Sequence, residues 1–328
     1  MLTTRRVLVT GANGKLGGPL CRALVDRGYE VTAIEHHSPV DLPGVRPVRL
    51  ELSDYRAVED VVAESDAIIH LASAKENREA VVDLSVRGTF NLLDASLRTR
   101  KPKRFLLAGG DCVNGIYYQP HTEPISEKMA MGAYPGYYAL SKVLEETLTT
   151  QYYIQEKVPI VNLRMSWIHA EDDILNHLCT NGEPFGVPVW TDLMSEDQLR
   201  EFHGERNAAV IAVHPDGKPL IRHIVAIEDC VDAFLIALEV PGIEGETFNI
   251  AMNAPFDYRD AAEHAAEKLG IEVLELVDPV GQDYYVDIAK ARYVLGFSPK
   301  LDIHSLIEQA IEFRHSGAQR RTRTGYKG

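Results

Sequence analysis

The sequence predicts an α/β protein built on a doubly wound parallel sheet, and three observations carry that expectation. Apolar runs of strand length alternate with amphipathic helical segments through the first half of the chain. The first run, Val7-Leu8-Val9, shows no polar alternation, as befits a strand buried on both faces. It passes directly into Thr10-Gly11-Ala12-Asn13-Gly14-Lys15-Leu16-Gly17-Gly18, a turn with glycines at fixed offsets, before a helix opens.

In that helix Leu16, Leu20, Ala23 and Leu24 recur at helical spacing, and Gly28 stands where it should stop. Its amino terminus points at the glycine turn, where N–H groups and the positive end of the macrodipole favour a phosphate. A dinucleotide pyrophosphate suits that place. Glu30-Val31-Thr32-Ala33-Ile34 is the second strand, and Glu35 at its carboxyl end can accept hydrogen bonds from both hydroxyls of an adenosine ribose. The same carboxylate repels a 2′-phosphate, so NAD is expected in preference to NADP. His36 and His37, at most partly charged near neutral pH, are weak phosphate anchors.

Arg46 to Leu50 is a third strand leading into Glu51-Leu52-Ser53-Asp54, and a helix runs from Tyr55 to about Glu64. Ala67-Ile68-Ile69-His70-Leu71-Ala72-Ser73 is a fourth strand, Val81 to Leu97 a helix, and Arg104 to Gly110 a fifth strand ending in glycines. Ligands in such sheets bind outside the carboxyl ends of the strands. Leu71-Ala72-Ser73 and Gly109-Gly110-Asp111 therefore share a rim with the glycine turn.

A chain of 328 residues buries a large core as one interlocked unit or two lobes. With 34 basic against 48 acidic residues and a net charge of −14, it argues against nucleic-acid or anionic-membrane partners and leaves a small molecule as the expected one. Met1 to Arg6 run into the first strand without an apolar targeting segment, and no run is long enough to cross a bilayer. Cys21, Cys112, Cys179 and Cys230 are scattered, which points to free thiols in a reducing cytoplasm. His169, Glu171, Asp172 and Asp173 lie close together without a metal-ligand spacing, and no metal is expected.

Further on, Tyr137-Tyr138-Ala139-Leu140-Ser141-Lys142 opens a helix with Leu140, Leu144, Leu148 and Tyr152 as an apolar row. Four-residue spacing puts Tyr138 and Lys142 on one face, one turn apart. An ammonium beside a phenol favours the phenolate, the requirement for a tyrosine general base near neutral pH.

Thr10-Gly11-x-x-Gly14-x-x-Gly17, the acid after strand two, His70-Leu71-Ala72 and Tyr138-x-x-x-Lys142, in this order, closely resemble the extended short-chain dehydrogenase/reductase family, the group of NAD-dependent sugar epimerases and dehydratases. Gly88-Thr89-Phe90-Asn91-Leu92-Leu93, Arg222-His223-Ile224-Val225, Thr247-Phe248-Asn249-Ile250 and Asp287 to Pro299 extend the resemblance over most of the chain. It implies a Rossmann-type NAD-binding domain formed by residues 1–164 plus 219–252. A smaller, interleaved α/β substrate lobe would combine 165–218 with 253–328. Asp216-Gly217 is expected as a hairpin tip on the substrate side, and the basic stretch Arg320 to Gly328 as a frayed tail. Helices matching Val81 to Leu97 and Tyr138 to Lys157 often pair across a dimer axis in this family, so a homodimer is expected.

The resemblance also assigns candidate roles. Gly11, Asn13, Gly14, Lys15 and Leu16 would meet the cofactor at the glycine turn, with Glu35, Glu51 and Leu52 toward its adenosine end. Leu71, Ala72, Ser73, Tyr138, Lys142 and Ser166 would complete that set. Tyr138 and Lys142, with Asp111, are the candidate catalytic residues; Gly110, Trp167 and Arg222 are the candidate substrate contacts.

Two departures bear on chemistry. Family members usually carry a Ser/Thr hydroxyl after strand five that orients the reacting oxygen, and here Gly110 stands in its place, leaving a backbone N–H or Asp111 as substitutes. Trp167 occupies the position of an asparagine in Arg164-Met165-Ser166-Trp167-Ile168-His169. Three readings follow. The first is an NAD-dependent dehydrogenase or epimerase acting on a sugar, sugar acid or polyol, with Tyr138 taking the hydroxyl proton. The second is a nucleotide-sugar 4,6-dehydratase, disfavoured because Cys112 stands where that activity needs a glutamate. The third is a non-catalytic NAD-binding sensor, for which the missing hydroxyl argues and the retained Tyr138 and Lys142 argue against. A free sugar or sugar acid is expected over a nucleotide-sugar. Trp167 offers a face for stacking, and Pro188 to His203 brings another aromatic and the acids Asp192, Glu196, Asp197 and Glu201 to the lobe.

Overall fold

The structure, a computed structural model, describes residues 5–36, 38–183, 185–186, 188–202 and 206–320. Its first strand, β1 (Arg6–Thr10), leads through the glycine turn into α1 (Gly17–Asp26), which ends where Gly28 takes a left-handed φ of +83°. β2 (Glu30–Glu35), β3 (Val45–Arg49), α2 (Tyr55–Ala63) and β4 (Ala67–His70) follow. Asp54 caps α2 by accepting from the N–H groups of Arg56 and Ala57, which fixes its start. Beyond them come α3 (Gly88–Thr99), β5 (Arg104–Gly110), α4 (Tyr137–Glu156), β6 (Ile160–Met165) and β7 (Trp167–His169).

The second half is α5 (Asp173–Leu178), α6 (Trp190–Leu193), α7 (Glu196–Phe202), β8 (Ala208–Val213), β9 (Ile221–Arg222), β10 (Ile224–Ala226) and α8 (Ile227–Glu239). It closes with β11 (Thr247–Ile250), β12 (Phe256–Asp257), α9 (Tyr258–Leu269), β13 (Glu272–Val277) and α10 (Ile303–His315).

Seven strands form one parallel sheet in the order β11-β6-β5-β4-β1-β2-β3. The chain starts in its middle and winds outward in both directions, so the order reverses between β1 and β4, where Thr10 lies beside His70. A crevice at the carboxyl ends of β1 and β4 is the ligand position such a sheet provides. Alternate residues of the central strands serve opposite cores. Val7 and Val9 pack with Leu20, Leu24, Phe234 and Leu238 of α1 and α8. Leu8, Ile68, Phe105 and Leu107 pack on the other face with Val58, Val62, Leu92 and Leu93 of α2 and α3.

Two elements differ from the sequence expectation. The fourth strand stops at His70: the Leu71 N–H still reaches the Thr10 carbonyl at 3.3 Å, while the Ala72 N–H turns to the Thr10 hydroxyl at 3.0 Å. The helix expected from Val81 begins as a π-helical stretch, Val81–Arg87, before α3 takes over. That stretch sets the Ser85 hydroxyl on the Ala74 N–H at 3.2 Å.

A third core unites Leu175 and Leu178 of α5 with Val210 and Ala212 of β8, Ala261 and Ala265 of α9 and Ile307 of α10. Around it lie three two-stranded pairs: β7 with β10, β9 with β12, and β8 with β13. Asp216-Gly217 is a tight turn as expected, closed by His214 N–H to Lys218 O at 2.8 Å and Leu220 N–H to Ala212 O at 2.9 Å. Arg320, expected at the head of a frayed tail, instead docks its guanidinium on Asp172 and Asp173; residues 321–328 lie outside the described set, as do His37 and His203. Among the described residues no helix is long and apolar enough to cross a membrane.

Candidate active site

The glycine turn is packed backbone on backbone. A Cβ on Gly17 would lie 2.2 Å from the Gly11 carbonyl oxygen and 2.6 Å from Ala12 Cα, and one on Gly11 would lie 2.8 Å from the Ala72 nitrogen. Leu16, before α1, offers no side-chain cap, Pro19 has no N–H and the Gly18 N–H reaches the Gly14 carbonyl at 3.4 Å, so of the first three helix residues Gly17 keeps its N–H for the turn. Backbone N–H groups at such a turn suit a phosphate, and Gly11 approaches the chain after β4 closely.

Thr10 pins the two sides of the crevice together. Its Oγ1 accepts from Leu71 N–H at 3.1 Å and Ala72 N–H at 3.0 Å and donates to His70 Nδ1 at 2.7 Å. His70 Nε2 then donates to Thr89 Oγ1 at 2.9 Å, whose proton goes to the Ser85 carbonyl. Every proton in this chain has one place, with His70 neutral; burial, with the Lys142 charge, holds its imidazole down to about 3.

Toward the adenosine end, Glu35 ends β2 and accepts from Val40 N–H at 3.0 Å. Asn13 donates to the Ser38 and Pro39 carbonyls, each at 3.0 Å, which closes the loop over the turn. Glu51 pairs with His36 at 2.7 Å, and the cleft beside them is lined by Leu52, Ser53, Asn77 and Leu84. Lys15 departs from the expected outline. Its ammonium is bound by Asp173 at 2.6 Å and sits 4.1 Å from the centre of the Phe185 ring, so it faces the segment after β7. Leu16 is buried and offers the crevice only its backbone.

At the other end, α4 carries Tyr138 and Lys142 on the same face, the ammonium 5.8 Å from the phenol ring centre. Lys142 donates to the Ala108 carbonyl at 2.9 Å and to Glu145 Oε2 at 2.8 Å, which leaves one of its three protons for a further acceptor. A Cβ on Gly110 would stand 3.8 Å from the Tyr138 hydroxyl. Glycine at position 110 sets no side chain of its own beside the Tyr138 hydroxyl, and a Cβ there would also meet Cys112 Sγ at 3.3 Å. Ser73, after the tip of β4, receives the Lys75 N–H at 3.4 Å.

Asp111 is turned to Ser166, and its chemistry follows from counting protons. Ser166 Oγ lies 2.7 Å from Asp111 Oδ2 and 2.7 Å from the His223 carbonyl oxygen. A serine has one proton for two such contacts, so the second proton belongs to Asp111. Burial pushes this carboxyl up to about 7, against the opposing pull of Ser166 and Arg222. Ser166, expected as a cofactor contact, is committed to this link between β5, β6 and the approach to β10.

The candidate substrate side is more enclosed than the sequence suggests. Trp167 stacks on Phe185 at 4.7 Å, and the Arg222 guanidinium lies 4.7 Å from the Trp167 ring and 4.9 Å from the Tyr117 ring. Neighbours from the same chain therefore occupy the face expected to meet a sugar. Arg222 also donates to the Tyr258 hydroxyl at 2.9 Å and is 4% exposed. Trp190 is buried and donates to the His177 carbonyl. Asp197 and Glu201 are spent on surface pairs with Arg200 and Arg206, while Asp192 and Glu196 are exposed. In the described part of this stretch, Pro188 to Phe202, the aromatic is therefore packed inside the lobe and the acids lie at its surface. Among the described residues no group of three or more His, Cys, Asp or Glu could hold a metal; Asp172 and Asp173 are taken by Arg314, Arg320 and Lys15.

Sequence reasoning passed over two residues. Lys75 follows the tip of β4 in a left-handed conformation, φ +54°, with its ammonium 5.9 Å from the Tyr138 ring centre. The residue is exposed, yet desolvation of the ammonium, with the charges of Lys15 and Lys142, pulls it down to about 8. Its position just past a strand tip on the ligand rim was the available signal. Glu145 gave a fainter one, being three residues beyond Lys142 in the same helix.

A sequence model of the NAD dependent epimerase/dehydratase family matches residues 7–251, which run from β1 through β11. The chain belongs to this family. As a family member it is an enzyme of the extended short-chain dehydrogenase/reductase type. A UDP-N-acetyl-alpha-D-glucosaminuronate decarboxylase of Bacillus cytotoxicus is 24% identical over 94% of this chain and 97% of its own. A uronate dehydrogenase of Pseudomonas putida is 30% identical over 55% of this chain and 68% of its own. A short-chain dehydrogenase/reductase superfamily protein from Agrobacterium tumefaciens, crystallised with bound NAD, shares the fold with a TM-score of 0.81 at 22% identity, over 95% of this chain and 98% of its own.

The Asp111 proton has a consequence for stability. Between the unfolded value of about 4 and the folded value of about 7, the folded protein retains a proton that the unfolded chain has released. The stabilisation is therefore complete below about pH 4 and is lost as pH rises through about 7. Asp111→Asn keeps a donor toward Ser166 and removes this dependence. Denaturation midpoints should move in favour of the Asn protein from about pH 5 to about pH 8. A constant difference over that range contradicts the assignment.

Proposed function

We propose that this family member is an NAD-dependent oxidoreductase acting on a hydroxyl or carbonyl of a sugar, sugar acid or related polyol. One observation carries the reading: Tyr138 and Lys142 share one face of α4 beside Gly110, on the rim that also carries the glycine turn. Gly11, Gly14 and the amino terminus of α1 would hold the pyrophosphate, Glu35 the adenosine ribose, and Lys142 the nicotinamide ribose. NAD supplies the hydride-accepting chemistry when bound. Tyr138 takes the proton of the substrate hydroxyl, and Lys142 favours the phenolate that does so. With no side chain at position 110, the substrate oxygen is oriented by the backbone there and by Tyr138 itself.

A small substrate is favoured over a nucleotide-sugar because Arg222, which would grip a diphosphate, is closed between Tyr117 and Trp167. The similarity to a uronate dehydrogenase supports the same choice. A nucleotide-sugar substrate, which the epimerase alternative requires, is supported by the Bacillus cytotoxicus relative, named as a decarboxylase of a UDP-sugar and matched over nearly its whole length. The dehydratase reading has little support: Cys112 is buried, and desolvation raises its thiol far from an acid's range. The sensor reading is opposed by the intact Tyr138 and Lys142 pair.

We further place the cofactor domain at 1–164 plus 219–252 and the substrate lobe at 165–218 plus 253–328. A homodimer through α3 and α4 is supported by Phe90, Leu140, Leu144 and Ile154, exposed by 44%, 46%, 36% and 55%; a monomer in sedimentation equilibrium would remove it. Four buried free thiols support a reducing, cytoplasmic setting, which cell fractionation tests.

Two experiments decide the chemistry. Binding titrations should show NAD preferred over NADP, with the gap narrowed by Glu35→Ala; tighter NADP binding by the unaltered protein refutes the role of Glu35. NADH formation should appear with free aldoses, uronic or aldonic acids or polyols, and Tyr138→Phe should bind NAD normally while losing at least about a hundredfold in turnover. Turnover or saturable binding confined to UDP-, GDP- or dTDP-sugars would sink the small-substrate reading and restore the epimerase alternative.

A further inference from the structure

The helix that presents Tyr138 and Lys142 contains two buried ion pairs of different construction. Glu146 meets Arg164 of β6 as a two-pronged fork, with Nη2 to Oε1 at 2.6 Å and Nε to Oε2 at 2.9 Å. Both partners are 4% exposed and the geometry is complete, so this pair ties α4 to the sheet. Glu145 and Lys142 lie within the same helix, three residues apart, and tie it to nothing else through their contact. Their side chains are 0% and 3% exposed, and Glu145 Oε1 makes no hydrogen bond of ordinary geometry. A buried pair with an unpartnered oxygen costs more desolvation than it returns, and apolar side chains of similar volume would serve stability as well.

We propose that Glu145 is the positioning residue of the Tyr138 and Lys142 pair, keeping the buried Lys142 ammonium charged and fixed on the Ala108 carbonyl. The proposal rests on the reading of Lys142 as the lysine that activates Tyr138. A lysine this deeply enclosed sheds its proton readily unless an opposite charge lies beside it. The surroundings of Lys142 add no other compensation. His70, at the end of β4, is neutral, and Lys75, on the loop after β4, is a second cation. On the turn after β5, Asp111 shares its proton with Ser166 and Cys112 is a raised, neutral thiol. Within α4 itself Glu146 is neutralised by Arg164 of β6. Glu145 is thus the carboxylate that answers Lys142. Burial raises Glu145, while Lys142 and the nearby Ser85 hydroxyl of the π-helical stretch favour its charged form. If the charge were lost, Tyr138 would lose the field that favours its phenolate, although every atom of the pair remained in place.

The test reads Lys142 directly, on protein without cofactor or substrate. With lysine labelled at Cε by carbon-13, the Lys142 resonance is assigned by its disappearance in Lys142→Met and followed by NMR as pH is raised. In Glu145→Gln the Lys142 proton should be lost at a pH at least about one unit below that of the unaltered protein. Glu145→Leu should behave the same way, and Glu145→Asp should retain the original titration. An unchanged Lys142 titration in whichever charge-removing variant folds overturns the proposal. Failure of both to fold also overturns it, because Glu145 would then be structural. The titration needs no turnover, so its outcome is separate from the substrate screen that decides the oxidoreductase reading.

Discussion

The structure depends on a close approach of backbone to backbone where β1 turns into α1. At Gly17 the obstacles to a side chain are a carbonyl oxygen and a Cα, which no rotamer change can move. That contact draws the start of α1 tightly over the end of β1, and Gly11 in turn lies against the chain leaving β4. Thr10 completes the joint: its hydroxyl accepts from the Leu71 N–H, which also reaches the Thr10 carbonyl, and from the Ala72 N–H, which has left the β4 ladder. The crevice is therefore defined by main-chain geometry before any functional side chain enters it. The side chains that do enter come from strand tips and from one long helix, each held by a buried contact of its own.

Charge inside this acidic protein is arranged pair by pair. A net charge of −14 says little about a site whose cations are Lys15, Lys75, Lys142 and Arg222. Lys15 is answered by Asp173, Lys142 by Glu145, and Arg164 by Glu146. Arg222 relies on aromatic faces and the Tyr258 hydroxyl. In surroundings of low polarity such local pairing outweighs the distant field of surface acids. Asp111 shows the other solution, a carboxyl that keeps its proton where two oxygens compete for a single serine hydroxyl.

Sequence periodicity was enough for the parallel sheet, the glycine turn and the pairing of Tyr138 with Lys142, because each is a local pattern of strand, turn or helix. The fate of Trp167 was not legible. Its stacking partners Phe185 and Arg222 lie 18 and 55 residues further along, and only the fold brings them to one ring. The same reason hid the link between Asp111 and Ser166, and the docking of Arg320 on a loop 147 residues earlier. The early end of β4 was hidden differently: it needs knowledge that one threonine hydroxyl takes the Ala72 N–H from the strand ladder. Glu145 was hidden by its ordinariness, since a glutamate in an amphipathic helix is usually solvated.

The central claim, that the glycine turn builds the cofactor crevice by backbone approach, is tested most directly by calorimetric titration of NAD into a matched pair of variants. Gly17 and Gly18 are adjacent, but a Cβ on Gly18 would find nothing nearer than the Arg22 guanidinium at 3.6 Å. The account predicts that Gly18→Ala binds NAD within about threefold of the unaltered protein, whereas Gly17→Ala loses at least about tenfold, or about 1.4 kcal/mol. Equal NAD affinity in the two variants would contradict it.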